Sequence, residues 1–181
     1  MKRISSLLLC VFAAGVLYAQ EARHANEILK EAYQQAAKEK KNVFVMFHAS
    51  WCGWCHKMDS AMSDKTVKKF FDDNYVIRHL VVYESKDKKN LENPGALELL
   101  TKYKGNDQGI PYWLVFDRNG RLLGDSQVRP EGAGPATAGK NTGCPASPEE
   151  VAHFLRVLEM TSSLNPEQLA TVKTRFLKNG E

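Results

Sequence analysis

Apolar positions along this chain fall into two repeats, and the switches between them mark its elements. Over residues 23–41, Ile28, Leu29, Ala32, Tyr33, Ala36 and Ala37 recur at helical spacing and give one buried stripe. Asn42 then leads into Val43-Phe44-Val45-Met46-Phe47, a near-continuous run of β-formers that reads as a central strand covered on both faces. A helical pattern follows within a few residues and runs through Met58 and Met62. Another helix is expected from Ser63 or Asp64, using Val67, Phe70 and Phe71. Residues 75–83 read as a second strand, carried by Val76, Ile77, Leu80, Val81 and Val82.

Beyond a polar stretch at 84–95, the pattern predicts a short helix over 96–103 and a strand over 112–116. Asp117-Arg118-Asn119-Gly120 reads as a hairpin turn, because Asn-Gly readily takes the positive φ angles of a tight turn. Its return strand falls at 121–124. Ser147-Pro148-Glu149-Glu150 supplies a helix cap, a proline in the first turn and a capping-box glutamate. Val151, Phe154, Leu155 and Leu158 then form a buried stripe, and a last helix over 166–178 places Leu169, Val172 and Phe176 on one face. Strands alternating with helices imply a parallel sheet, to which the hairpin adds an antiparallel edge. The fold class is therefore α/β, a central mixed sheet flanked by helices with an extra C-terminal helix (165–178). Residues 126–146 are rich in Gly, Pro and Ala without a period, and a loop of that length is either functional or mobile.

The first residues do not belong to this pattern. Lys2 and Arg3 precede an apolar run from Ile4 to Leu17, then Tyr18-Ala19-Gln20. That arrangement is a secretory signal peptide over 1–19, cut after Ala19, and it implies export to a periplasmic or secreted location. The run is too short and too poorly flanked for a transmembrane helix; retention as an N-terminal anchor is the alternative. The remaining chain, 20–181, is long enough for one domain with a real core. Losing Lys2 and Arg3 lowers the formal net charge from +4 to about +2. Such a balance gives no electrostatic footprint for nucleic acid or an anionic membrane. The lysines of Lys38-Glu39-Lys40-Lys41 and Lys86-Asp87-Lys88-Lys89 read as solvated surface, and 84–93 as a solvated loop with a partner surface as the alternative.

Chemistry concentrates in Trp51-Cys52-Gly53-Trp54-Cys55-His56. Two thiols three positions apart can close on each other. If the segment opens a helix, the first sits beside free backbone N–H groups and the positive end of the helix dipole, which favour thiolate. Beyond the leader only Cys52, Cys55 and Cys144 remain, so this is no disulfide-stapled scaffold and the close pair reads as functional. Cys144, in the Gly/Pro/Ala-rich loop, reads as a free loop thiol, with a regulatory or intermolecular disulfide as the alternative. The same six residues also satisfy Cys-x-x-Cys-His, the attachment pattern of c-type haem, with His56 as the proximal ligand and Met58, Met62 or Met160 as the distal one. Metal capture by Cys52, Cys55 and His56 is a weaker reading, since Cys55 and His56 are adjacent and no second Cys/His cluster completes four ligands.

A strand ending in Trp-Cys-x-x-Cys at a helix start, with Gly109-Ile110-Pro111 before a later strand, resembles the thioredoxin family. It is most similar to exported thioredoxin-like reductases and to the C-terminal module of periplasmic thiol:disulfide interchange proteins. The resemblance covers roughly 23–124 and the helix at 147–161. It implies a thioredoxin-like fold, no cofactor and no metal, and substrates that are protein thiols and disulfides. Cys52 would be the exposed attacking thiol, its pKa lowered into the range of about 3.5–7.5. Cys55 would be buried and would resolve the mixed disulfide. Pro111 would be the family's cis-proline, and Ile110 would offer backbone groups to an extended substrate strand. Trp51, Gly53 and Trp54 would support the site, while His56 would face solvent or a partner.

The chain departs from the family pattern at three positions. Met46 stands where a buried acid is expected, Trp54 where proline is expected, and Ser60 where a helix-kinking proline is expected. Ile110 before the proline resembles thioredoxin itself and favours a reductase, which in an oxidising compartment would need an electron donor, plausibly a membrane partner. Oxidase or isomerase activity is the alternative. The lesser alternatives are a c-type haem protein and a non-catalytic binding module of the same fold.

Overall fold

The computed structural model describes residues 22–134 and 136–181, so the leader expected at 1–19 lies outside the described residues. Helix α1 (Ala25–Glu39) begins at His24, whose Nδ1 accepts from the Asn26 amide, and ends at Lys40 in the left-handed conformation. There follow β1 (Asn42–His48), α2 (Gly53–Met62), α3 (Lys68–Asn74), β2 (Tyr75–Val81), α4 (Ala96–Lys102), β3 (Tyr112–Phe116) and β4 (Leu122–Asp125). Two short strands, β5 (Gln127–Val128) and β6 (Lys140–Asn141), precede α5 (Pro148–Thr161) and α6 (Pro166–Leu177). Among the described residues no helix is long and apolar enough to cross a membrane.

The four main strands form one mixed sheet in the order β2-β1-β3-β4. Only β1 and β2 are parallel; β3 runs antiparallel to β1, and β4 antiparallel to β3. The mixed sheet is as expected, but β3 runs antiparallel to β1 where the alternation of strands and helices implied a parallel neighbour. The connection does not carry the chain back along the sheet, so Tyr112 starts β3 beside Phe47 near the end of β1.

Two local expectations also change. Helix α3 starts at Lys68 rather than at 63 or 64, because Asp64 Oδ1 accepts from the Thr66 amide and hydroxyl at 2.9 and 2.7 Å. A side chain that satisfies backbone donors in this way competes with the helix. In the hairpin only Gly120 has positive φ, at 81°, and Asn119 does not. Asp117 Oδ1 instead holds the Asn119 and Arg121 amides at 2.8 and 2.9 Å, leaving one left-handed residue to close the turn. Helix α5 has the expected capping box between Ser147 and Glu150, and α6 has a second one between Asn165 and Gln168.

Alternation along the central strands divides the interior in two. Val43, Val45 and Phe47 face α1 and α4, joining Leu29, Ala32, Leu100, Leu114 and Phe116. Phe44 and Met46 face the other way, with Met58, Phe71, Trp113, Phe154 and Phe176. Phe154 of α5 is central to this second core: its ring lies 4.7 Å from Phe176, 5.3 Å from Trp113 and 6.2 Å from Phe71.

The segment 126–146 is held rather than loose. The Arg129–Asp125 ion pair, at 2.7 Å, is nearly buried on both sides. The Gln127 side chain donates to the Tyr103 carbonyl and the Tyr112 hydroxyl and accepts from the Gly139 amide at 2.6 Å. Cys144 is buried, 3.4 Å from Asn179 Nδ2, so the expected free loop thiol is an interior one. Asn179 is itself buried and donates to the Pro145 carbonyl, while its own carbonyl accepts from Lys57 Nζ of α2 at 2.5 Å.

Two outcomes follow from these contacts. Burial pushes the Cys144 thiol up to about 12, so it stays protonated and sheltered at neutral pH. Peptide mass analysis after iodoacetamide at pH 8 should find Cys144 alkylated at least ten times more slowly in native than in urea-unfolded protein, because thiolate fraction and access both limit the reaction. Thr66, through its amide and hydroxyl, and then Arg175 hold Asp64 at about 2, below its ordinary 3.8. A depressed carboxyl stabilises the fold above its unfolded value, and that contribution disappears as pH falls from near 3.8 through about 2. Urea unfolding of wild type and Asp64→Asn between pH 5 and 2 should show a stability gap that closes across this window; a gap independent of pH would contradict the assignment.

Candidate active site

Where β1 runs out at His48, the chain turns through Ala49-Ser50-Trp51 and enters α2 at Cys52. The Cys52 amide donates to the Ala49 carbonyl at 3.1 Å, closing the turn. Cys52 takes the N-cap position with extended backbone, and its Sγ accepts from the Cys55 amide at 3.1 Å. A helix start leaves N–H groups without intrahelical partners, and here the sulfur takes one of them. Cys55, one turn on, closes a disulfide to Cys52 with an S–S distance of 2.03 Å.

Cys55 is sheltered as the resemblance implied, and Cys52 is more sheltered than expected. Cys55 is fully buried, and Cys52, expected to be exposed, retains only 3% of its surface. Ala49 and Ile110 pack against the pair. Ile110 precedes Pro111 across a cis peptide bond, and the Ile110 carbonyl oxygen lies 3.6 Å from Cys52 Sγ. Thus the cysteine pair is brought together with Ile110 and Pro111, and the closest contact, from Cys52 to Ile110, spans 58 positions. Trp51 and Trp54 flank them with 59% and 52% of their surface exposed. Gly53 has open space where a side chain would stand, so no close contact in the structure requires glycine there. Met46, at the position expected for an acid, is buried in the α2-side core.

A bracket behind the turn was missed by the sequence reading. Glu84, read as part of a solvated loop, is buried, and its carboxylate accepts from the Ser50 amide at 2.5 Å and the Ser50 hydroxyl at 2.8 Å. Burial alone would push this carboxyl up, but the two Ser50 donors, with Lys88 and His48, outweigh it and hold it below its ordinary value. Next to it, the Tyr83 carbonyl accepts from Trp51 Nε1 at 2.8 Å, and Tyr83 has a positive φ of 57°. The Glu84 amide is in turn held by Glu92 at 2.7 Å. The only sequence signal was an acid directly after a strand that ends beside the cysteine turn.

Histidines surround the same helix. His79 Nε2 lies 2.8 Å from Asp59 of α2, and its ring meets His48 edge-on at 5.1 Å. Burial, followed by the His79 charge, lowers the His48 pKa. His56 is exposed, as expected, with Nε2 3.0 Å from the Ser50 carbonyl. Among the described residues no group of three or more His, Cys, Asp or Glu side chains is placed to hold a metal ion.

Beside the pair runs a groove of about 250 Å3 lined by Trp54, Ile110, Pro111, Asn141, Gly143 and Cys144. One wall is formed by Asn141 to Cys144 and Ala146, at the end of the Gly/Pro/Ala-rich segment, a placement that no sequence pattern signals. A close Cys-x-x-Cys pair at a helix start can cycle between dithiol and disulfide by exchange with another disulfide.

Among solved structures, the chain is similar to a disulphide isomerase from Xylella fastidiosa (21% identity over 62% of this chain and 80% of that one, TM-score 0.48). It is also similar to a DsbH oxidoreductase (19% identity, 87% and 96%, TM-score 0.41). A thioredoxin-family thiol:disulfide interchange protein from Chlorobium tepidum gives 21% identity, coverages of 70% and 83% and a TM-score of 0.38. No curated protein matches the sequence. The thioredoxin-like family profile matches residues 25–118, more than half of the chain, and carries the strand, the cysteine pair and Pro111 within it. With β1, the capped pair and the cis-proline in the arrangement described above, this chain belongs to the thioredoxin-like family and has the apparatus of a dithiol/disulfide oxidoreductase.

Proposed function

We propose that this protein is an exported reductase of protein disulfides, with Cys52 as nucleophile and Cys55 as resolving thiol. The observation that carries the assignment of roles is the difference between the two sulfurs. Cys52 caps α2, accepts an amide hydrogen and keeps the little surface the pair has, whereas Cys55 is wholly enclosed. In the reduced protein the Cys52 thiolate, stabilised by that amide and the helix start, attacks one sulfur of a substrate disulfide. The S–S bond of the substrate breaks, one sulfur leaves as thiolate, and Cys52 is joined to the other. Cys55 then attacks Cys52 Sγ, and the second substrate sulfur leaves. The Cys55 proton passes to a leaving thiolate, since Ala49 and Ile110, packed against the pair, offer no base. Two electrons have moved to the substrate, and a partner dithiol must return them.

The exposed Trp51 and Trp54 rings beside the pair suit a polypeptide substrate, because large rigid aromatics bury much surface at small entropic cost. Ile110 before the cis-proline supports the reducing direction. The apolar leader behind Lys2 and Arg3 supports export, and an exported reductase of this kind draws its electrons from a membrane partner.

An insulin-reduction assay tests the mechanism. Cys52→Ser should lose turnover, and Cys55→Ser should accumulate a mixed disulfide visible on non-reducing electrophoresis. Wild-type turnover by Cys52→Ser would sink the proposal. Equilibration with glutathione tests the direction. A potential near thioredoxin's, about −270 mV, supports a reductase, and one near about −120 mV makes the protein an oxidant.

A further inference from the structure

The segment between β4 and α5 reaches back to the start of β3 and is fastened there by one side chain. Asn141 Nδ2 lies 3.2 Å from the Gln108 carbonyl oxygen, 3.1 Å from that of Gly109 and 3.1 Å from that of Pro111. An amide nitrogen carries two hydrogens, so the three contacts are shared. The orientation of the amide is fixed chemically. Asn141 Oδ1 accepts from the Gly143 amide at 3.0 Å, and an oxygen in place of Nδ2 would face three carbonyls with nothing to donate. The Asn141 backbone amide adds a contact to Gln108 Oε1 at 3.4 Å.

Of four successive carbonyls, Asn141 engages those on both sides of Ile110 and skips its own. The skipped oxygen is the one 3.6 Å from Cys52 Sγ. Among the described residues the Ile110 amide has no hydrogen-bond acceptor either. An unpartnered N–H and C=O on one residue beside a reactive sulfur is what an extended polypeptide needs to add itself as a strand. The anchor for this arrangement is itself rigid. Thr142 donates to the Ser126 carbonyl through both its amide and hydroxyl, at 2.7 and 3.0 Å. The Gly143 carbonyl accepts from Trp113 Nε1 at 3.0 Å, from inside the core.

We propose that Asn141 is a positioning residue that makes the site selective for disulfides carried in extended polypeptide. By tying up the carbonyls of Gln108, Gly109 and Pro111 it holds the Ile110 peptide groups at one fixed distance from Cys52, and it walls the groove through which such a segment runs. A small disulfide, which needs only Cys52, gains nothing from this. The proposal rests on the reading of the protein as an oxidoreductase of protein disulfides, and it adds the residue that selects the substrate class.

The test uses Asn141→Asp, which keeps Oδ1 for Gly143 but removes the donor. Asn141→Ser is made alongside because it places no second oxygen against the carbonyls. Initial rates are measured with a disulfide held in an extended peptide and with cystamine. For the peptide, kcat/KM should fall about tenfold, mostly through KM, as the loss of one shared hydrogen-bond network implies. The cystamine rate should stay within about twofold of wild type. Equal losses on both substrates, or no loss on either, overturn the proposal. A measurement without turnover separates it from the functional reading: titration of the oxidised protein with a disulfide-free extended octapeptide, followed at the Ile110 amide resonance. Wild type should respond and Asn141→Asp should not, even if exchange activity proves absent. An Ile110 amide that is silent in wild type, or equally responsive in the variant, overturns the proposal.

Discussion

Everything around the cysteine pair depends on β1 being paired along both edges. Its residues Val43 to Phe47 are buried, with β2 on one side and β3 on the other. A strand so enclosed has no freedom to slip, since a shift by one residue would exchange Phe44 and Met46 with Val43, Val45 and Phe47 between unlike cores. The end of β1 is thereby fixed, and with it the place where the chain must turn into α2. The end of β2 and the start of β3 arrive at the same edge of the sheet. From these three ends come the Ser50 turn, Tyr83 and Glu84 behind it, and Ile110 with Pro111 in front.

What the sequence shows clearly is whatever a short window decides. The run Val43–Phe47, the capping box at Ser147 and Glu150, and the cysteine pair at a helix start are all local patterns. The direction of β3 is not local: it is set by where the long connection from β2 delivers the chain, which no periodicity records. Glu84 and Asn141 escaped for a related reason. Each acts through one side chain on backbone groups thirty or more positions away, and such a contact leaves no repeat in the sequence. Cys144 shows how composition misleads. Gly, Pro and Ala describe the backbone freedom of 126–146, while Trp113, Gln127 and Asn179 decide that it is held down.

The departure at Met46 takes on a physical meaning in this setting. An acid buried among Phe44, Trp113 and Met58 would need a partner to offset its desolvation. Methionine avoids that cost and keeps this core apolar. Charged and titratable groups act instead on the turn and on α2, in Glu84, His48, His79 and Asp59. Glu84 holds the turn at Ser50, and His79 holds α2 at Asp59.

The contact between Lys57 and Asn179 joins residues 122 positions apart, and Asn179 in turn backs Cys144 and Pro145 at the wall of the groove. A chain emerging from a ribosome or threading through a translocon presents Cys52 and Cys55 long before residue 179. During that interval the two thiols are already chemically competent, yet the wall beside them has no backing. The young polypeptide therefore passes through a stage in which its cysteine pair is already made but the segment beside it is not yet backed by Asn179.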